Sequence, residues 1–221
     1  LGKGGMGEVF RARDTQLDRE VAIKILPEVF TWDTERLARF EREARVLASL
    51  SHPNIATIYA IEEVDEEMFI VMEYIDGQEL KNIVGAYHDT PIPNKDVINY
   101  AIQIAEGLQA AHEKGIVHRD IKSSNIMVTD KGQVKIMDFG LAKEQETPGL
   151  TTTGIVMGTP HYMAPEQAAG DIQNAGTAVD VYALGAILYH LITGHPPFRS
   201  STKPRVVALG LREKEYYPGI Q

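Results

Sequence analysis

Apolar residues recur along this chain in two periods, and the switches between them predict its elements. Residues 9–12 and 20–26 are short apolar-rich runs separated by the polar stretch 13–19, and they read as two strands. Leu37, Phe40, Ala44 and Leu47 recur at three- and four-residue steps and predict a helix over 33–50. Residues 55–62 and 68–72 read as further strands, which makes a small sheet accompanied by one helix. Beyond them a helix is expected over 96–114, with the stripe Val97, Ala101, Ala105, Leu108 and Ala111, a cap at Asn94 and a stop at Gly115. Residues 126–128 and 134–136 flank Asp130-Lys131-Gly132 and predict a short hairpin. Residues 180–193 are apolar almost all round, so they read as a buried helix, ended by Gly194-His195-Pro196-Pro197. Residues 199–221 show no clear period.

Composition narrows the function classes. The chain has 221 residues, enough for a sizeable core in one domain or two lobes. A hydrophobic share of 43% and a charged share of 24% are ordinary for a globular protein. The formal net charge of −9 argues against a nucleic acid or an anionic membrane as the main partner, since both reward a basic face. There is no cysteine, which excludes disulfides, cysteine–zinc sites and thiol catalysis. No apolar stretch reaches the roughly 18 residues of a membrane helix, and no signal peptide is visible.

The chemistry concentrates in His118-Arg119-Asp120-Ile121-Lys122-Ser123-Ser124-Asn125 and in Asp138-Phe139-Gly140. An acid, a lysine and an amide lie within six positions, with a second acid on a following loop. That is an inventory for moving a phosphoryl group from a Mg-nucleotide to a hydroxyl. One carboxylate orients the acceptor, hard oxygen donors hold metal, and a lysine neutralises charge. The two runs resemble the catalytic and metal loops of protein kinases. Four further kinase elements follow in family order: the glycine loop Gly2-Lys3-Gly4-Gly5-Met6-Gly7-Glu8-Val9, Val21-Ala22-Ile23-Lys24, Ala164-Pro165-Glu166, and Asp180-Val181-Tyr182-Ala183-Leu184-Gly185. The wording is most similar to the bacterial serine/threonine kinases. The resemblance covers residues 1 to 200 or so and fades after Phe198.

The resemblance implies an α+β, two-lobed fold: a small lobe over 1–71 with an antiparallel sheet and one helix, a hinge over 72–80, and a mainly helical, incomplete large lobe over 81–221. It implies transfer of the γ-phosphoryl group of ATP, with Mg²⁺, to a serine or threonine of a protein. Asp120 is the expected base and orienter of the acceptor, with Lys122 beside it. Asn125 and Asp138 are the expected metal ligands. Gly2, Gly4 and Gly7 let backbone approach phosphate closely. Lys24 is expected to address the phosphates, paired with Glu43. On a helix Glu43 lies about 60° from Phe40 and about 40° from Leu47, on the inner stripe, whereas Glu41 lies further out. Adenine would bond backbone groups at Glu73 and Ile75, between walls at Val9, Ala22 and Met127, with Met72 at the back of the slot. His118 and Phe139 are expected to stack in a column with Leu47 and Ile58, with Asp180 anchoring the backbone of His118 and Arg119. The other six histidines read as surface or turn residues. Lys122 and Thr159 both favour serine/threonine acceptors. Ser123 stands where proline is commoner, with little chemical effect expected. Thr151 and Thr153 are candidate phosphorylation sites, and a dimer would serve autophosphorylation. The kinase domain is expected in the cytoplasm. The chain reads as truncated at both ends, so a membrane anchor elsewhere is left open. A non-catalytic module of the same fold and a small-molecule phosphotransferase are the alternatives; the relatives of the latter lack Ala-Pro-Glu, which this chain has.

Overall fold

The computed structural model describes residues 2–4, 7–26, 42–65, 67–87, 92–139, 160–169 and 176–197. The first part is a five-stranded antiparallel sheet in the order β1-β2-β3-β5-β4: β1 Gly2–Gly4, β2 Gly7–Asp14, β3 Arg19–Ile25, β4 Ile58–Val64 and β5 Glu67–Glu73. Alternation decides its faces. Met68, Ile70 and Met72 of β5 are buried, together with Ala22 and Leu26. They pack against Ala44 and Leu47 of α1, described over 42–48.

The second part is mainly helical. It holds α2 Leu80–Ala86, α3 Asn94–His112, α4 Pro165–Ala169 and α5 Ala178–Thr193. A small antiparallel sheet lies among them, in the order β6 Gly77–Glu79, β7 Ile126–Thr129, β8 Val134–Ile136. Its core joins Leu80, Ile104, Leu108, Ile126, Ile136 and Ile187. The two parts meet where residues 54–56 run beside β8. Ile136 N–H donates to Asn54 O at 2.8 Å, and Ala56 N–H donates to Ile136 O at 2.9 Å.

Several limits differ from the sequence reading. β4 begins at Ile58, because Ile55 is taken by a parallel bridge to Ile136, a partner remote in sequence. Asn94 is the first helical residue of α3 and Pro93 is the cap; no side-chain cap bond forms there. The buried stripe of α3 runs through Ile104 and Gly107, while Ala105 is exposed. α5 begins at Ala178 and is not covered all round: Val181 and Ile192 are exposed. Gly194 ends it as expected, in the left-handed conformation at φ 76°, with its N–H bonded to His190 O. Among the described residues no helix is long and apolar enough to cross a membrane. Residues 199–221 lie outside the described residues.

Candidate active site

The loop 118–125 runs from α3 towards β7 and is held from beneath by Asp180 of α5. That carboxylate is fully buried, which is costly unless its oxygens are satisfied. Oδ2 accepts from His118 N–H at 2.8 Å and lies 2.8 Å from His112 Nε2; Oδ1 accepts from Arg119 N–H at 2.8 Å. Arg119 has φ 62°, a left-handed conformation that costs a non-glycine residue on the order of 1–3 kcal/mol. Both of its backbone groups are restrained, since Gln167 Nε2 donates to Arg119 O at 3.0 Å.

His118 is buried, and burial lowers its pKa. Its contacts define one neutral tautomer. Nε2–H donates to Met137 O at 2.9 Å, and Nδ1 accepts from Asp120 N–H at 3.2 Å. The ring sits 4.6 Å from that of Phe139. Phe139 in turn packs on the cluster containing Leu47, against which Ile58 also packs. The expected column and its Asp180 anchor are therefore both present.

Asp120, Lys122 and Asn125 converge. Lys122 Nζ donates to Asp120 Oδ2 at 3.0 Å, and Asn125 Nδ2 donates to Asp120 O at 2.9 Å and to Oδ2 at 3.3 Å. The short 3₁₀ turn Ser123–Asn125 aims the amide back at Asp120. Lys24 Nζ meets Asp138 Oδ1 at 2.7 Å, which brings β3 and the loop after β8 together. Lys24 is buried and Asp138 about a third exposed. Asp138 has φ 54°, so its orientation is also held against local preference. Asn125 directs its amide nitrogen at Asp120, which turns its Oδ1 elsewhere, and Lys24 engages one oxygen of Asp138. Carboxylate and amide oxygens are the donors magnesium takes, so the two residues fit that ion.

The glycine loop is a β1–β2 hairpin in which Gly2 faces Val9 and Gly4 faces Gly7. Gly7 has φ 111°, a conformation open to glycine. Val9 lies opposite Lys24, and Val9, Ala22 and Met72 share one apolar cluster. Met127 is half-buried on β7, and Glu43 is half-buried beside Ala44 on α1. At the end of β5, Glu73 N–H donates to Thr57 O at 2.9 Å, and the Glu73 carboxylate accepts from Thr57 N–H and from Lys135. Ile75 is buried just beyond it. Thr151, Thr153 and Thr159 lie outside the described residues.

Residues 1–217 match the protein kinase domain. The chain belongs to the protein kinase domain family. Among kinase relatives, it is 44% identical over 198 residues to the serine/threonine-protein kinase PrkC of Bacillus subtilis, covering 90% of this chain and 30% of that protein. It is 40% identical over 223 residues to the serine/threonine-protein kinase PknB of Mycobacterium leprae, covering 99% of this chain and 35% of that protein. The chain thus spans about a third of the length of these curated relatives. Its fold is similar to the crystal structure of the Mycobacterium tuberculosis PknI kinase domain, with TM-score 0.73 and 30% identity, covering 92% of this chain and 74% of that one.

In this kinase domain three groups of residues escaped the sequence reading. His112 and His190 are not surface residues: His112 bonds Asp180, and the half-buried His190 lies 2.7 Å from the Tyr162 hydroxyl. The signal was present, since His112 follows the buried Leu108 by four positions and His190 follows Ala186 by four. Gln167 is the second group. Its carboxamide accepts from Ala164 N–H while gripping Arg119, and no local pattern announces that. The third is Ser123, which is buried with its hydroxyl 2.9 Å from that of Tyr162.

Proposed function

We propose that the chain is the catalytic domain of a serine/threonine protein kinase, with a small lobe over 1–71, a hinge over 72–80 and a large lobe from 81 onward. The observation that carries this is the convergence of Lys122 and Asn125 on Asp120 beside the Lys24–Asp138 pair. In the reaction the acceptor hydroxyl oxygen bonds to the γ-phosphorus of ATP. The bond from that phosphorus to the β–γ bridging oxygen breaks, ADP leaves, and the hydroxyl proton passes to Asp120. Lys122 neutralises charge on the transferring group. Lys24, supported by Glu43, and the backbone of Gly2, Gly4 and Gly7 hold the phosphates. Val9, Ala22 and Met127 enclose adenine, which bonds backbone at Glu73 and Ile75. Asn125 and Asp138 would hold Mg²⁺, which supplies charge neutralisation on the phosphates.

Thr151 and Thr153 are the proposed autophosphorylation sites. A phosphate there adds about −1.5 to −2 charges and pairs with cations such as Arg119 and Lys143, ordering the segment; a transient dimer would bring the two active sites together. The test is incubation of the full-length protein with labelled ATP, Mg²⁺ and a generic protein substrate, followed by phosphoamino-acid analysis and mass spectrometry of the enzyme. Label on serine or threonine of the substrate, and phosphate on residues 151–153, are the expected results. Label on tyrosine alone or on small molecules alone would reject the reading.

A further inference from the structure

The hydroxyl of Ser123 lies 2.9 Å from that of Tyr162, and the Tyr162 hydroxyl lies 2.7 Å from His190 Nδ1. The chain of bonds joins three pieces distant in sequence: the catalytic loop, the turn Pro160–Tyr162 and α5. Ser123 and Tyr162 are buried, and Tyr162 shares its core cluster with Ile121, Ala183 and Ile187. Filling this space does not require polar groups. Replacing both partners of a buried hydrogen bond by apolar groups of like shape is often close to neutral for stability. Apolar contacts lack direction, and hydrogen bonds fix both distance and angle. Tyr162 both donates and accepts, so in either tautomer of His190 the three groups satisfy one another in a single running order. Ser123 adjoins Lys122, whose ammonium holds Asp120 Oδ2, and it opens the turn that carries Asn125. Lys24 and Asp138 make their contact separately.

We propose that Ser123, Tyr162 and His190 are positioning residues for the acceptor hydroxyl, fixing Asp120 and Lys122 against the segment that ends at Ala164. This rests on the phosphotransfer reading above and reverses the expectation that Ser123 is inconsequential. The bond chain sets where the acceptor is received and does not include the Lys24–Asp138 contact.

The test uses the full-length enzyme. Tyr162→Phe and Ser123→Ala each remove one oxygen and add no bulk. Each should lower kcat for a protein acceptor about tenfold or more, because small misplacements of reacting groups are costly, with KM for ATP within about twofold of wild type. His190→Asn, which keeps a polar atom near the place of Nδ1, should recover to within about threefold, and His190→Leu should not. Amide hydrogen exchange supplies a readout that needs no turnover: residues 120–125 should exchange about tenfold faster in Tyr162→Phe, with 134–136 unchanged. Wild-type kcat in folded Tyr162→Phe, a parallel loss of ATP affinity, or unaltered exchange at 120–125 would each overturn the proposal. If the wild-type enzyme transfers nothing to serine or threonine, the kinase reading fails on that result, and the exchange measurement still decides whether the bond chain fixes the loop.

Discussion

His118 shows how a single residue ties stability and chemistry together. It is held neutral by burial, with Nε2–H committed to Met137 O and Nδ1 accepting from Asp120 N–H. Protonation would place a second N–H against the Asp120 amide. The sign of the pH effect follows. The folded pKa is depressed, so between it and the unfolded value of about 6.5 the unfolded chain binds more protons, and stability falls as pH falls through that window. His161 and His190 are shifted downward by burial too, and add in the same direction. Asp14, lowered mainly by its bond from Leu17 N–H, acts only below about pH 4 and does not oppose this. The thermal unfolding midpoint should decline as pH falls from about 7.5 to about 5.5. A midpoint flat across that range would contradict the buried-neutral assignment.

At the scale of elements, Asn54 fastens the loop before β4 to α3 and β8. Its Nδ2 donates to Gln103 Oε1 at 2.9 Å and to Val134 O at 3.0 Å. Gln103 in turn donates to Gly132 O and accepts from Val134 N–H. The close approach is made possible by Gly107: a Cβ there would stand 2.8 Å from Ile136 Cδ1 and 3.1 Å from Asn54 O. Asn54→Ala leaves buried groups of this network short of a partner, so a loss of about 1–3 kcal/mol is expected in denaturant titration. A midpoint indistinguishable from wild type would show the network to be dispensable. Elements governed by local period were legible in the sequence. The helical stripe located α3, and short apolar runs located β3 and β5. What the period could not show was the bridge that holds Ile55 out of β4, the Pro93 cap in place of Asn94, and the inward role of Gln167. The candidate residues and their Asp180 anchor were expected from the resemblance, whereas the contact from Gln167 of α4 was not.

In the molecule as a whole, Phe139 packs against three apolar clusters, one behind the five-stranded sheet, one around α1's end and α3, and one among α3, β8 and α5. The Lys24–Asp138 pair joins the same two parts across 114 positions of sequence. The site thus depends on the two parts being held together, and the loop bearing Asp120 is fixed from the helical side by Asp180. The central claim is that Asp120 handles the acceptor while Lys24 and Asp138 serve the nucleotide. Its most direct test is Asp120→Asn in the full-length enzyme, read by phosphotransfer to a protein substrate and by nucleotide affinity in parallel. The account predicts loss of transfer by roughly two to four orders of magnitude, with affinity for Mg-ATP unchanged within about threefold, because the substituted group never touches the phosphates. Transfer at the wild-type rate, or a collapse of nucleotide affinity with the loss of transfer, would contradict it.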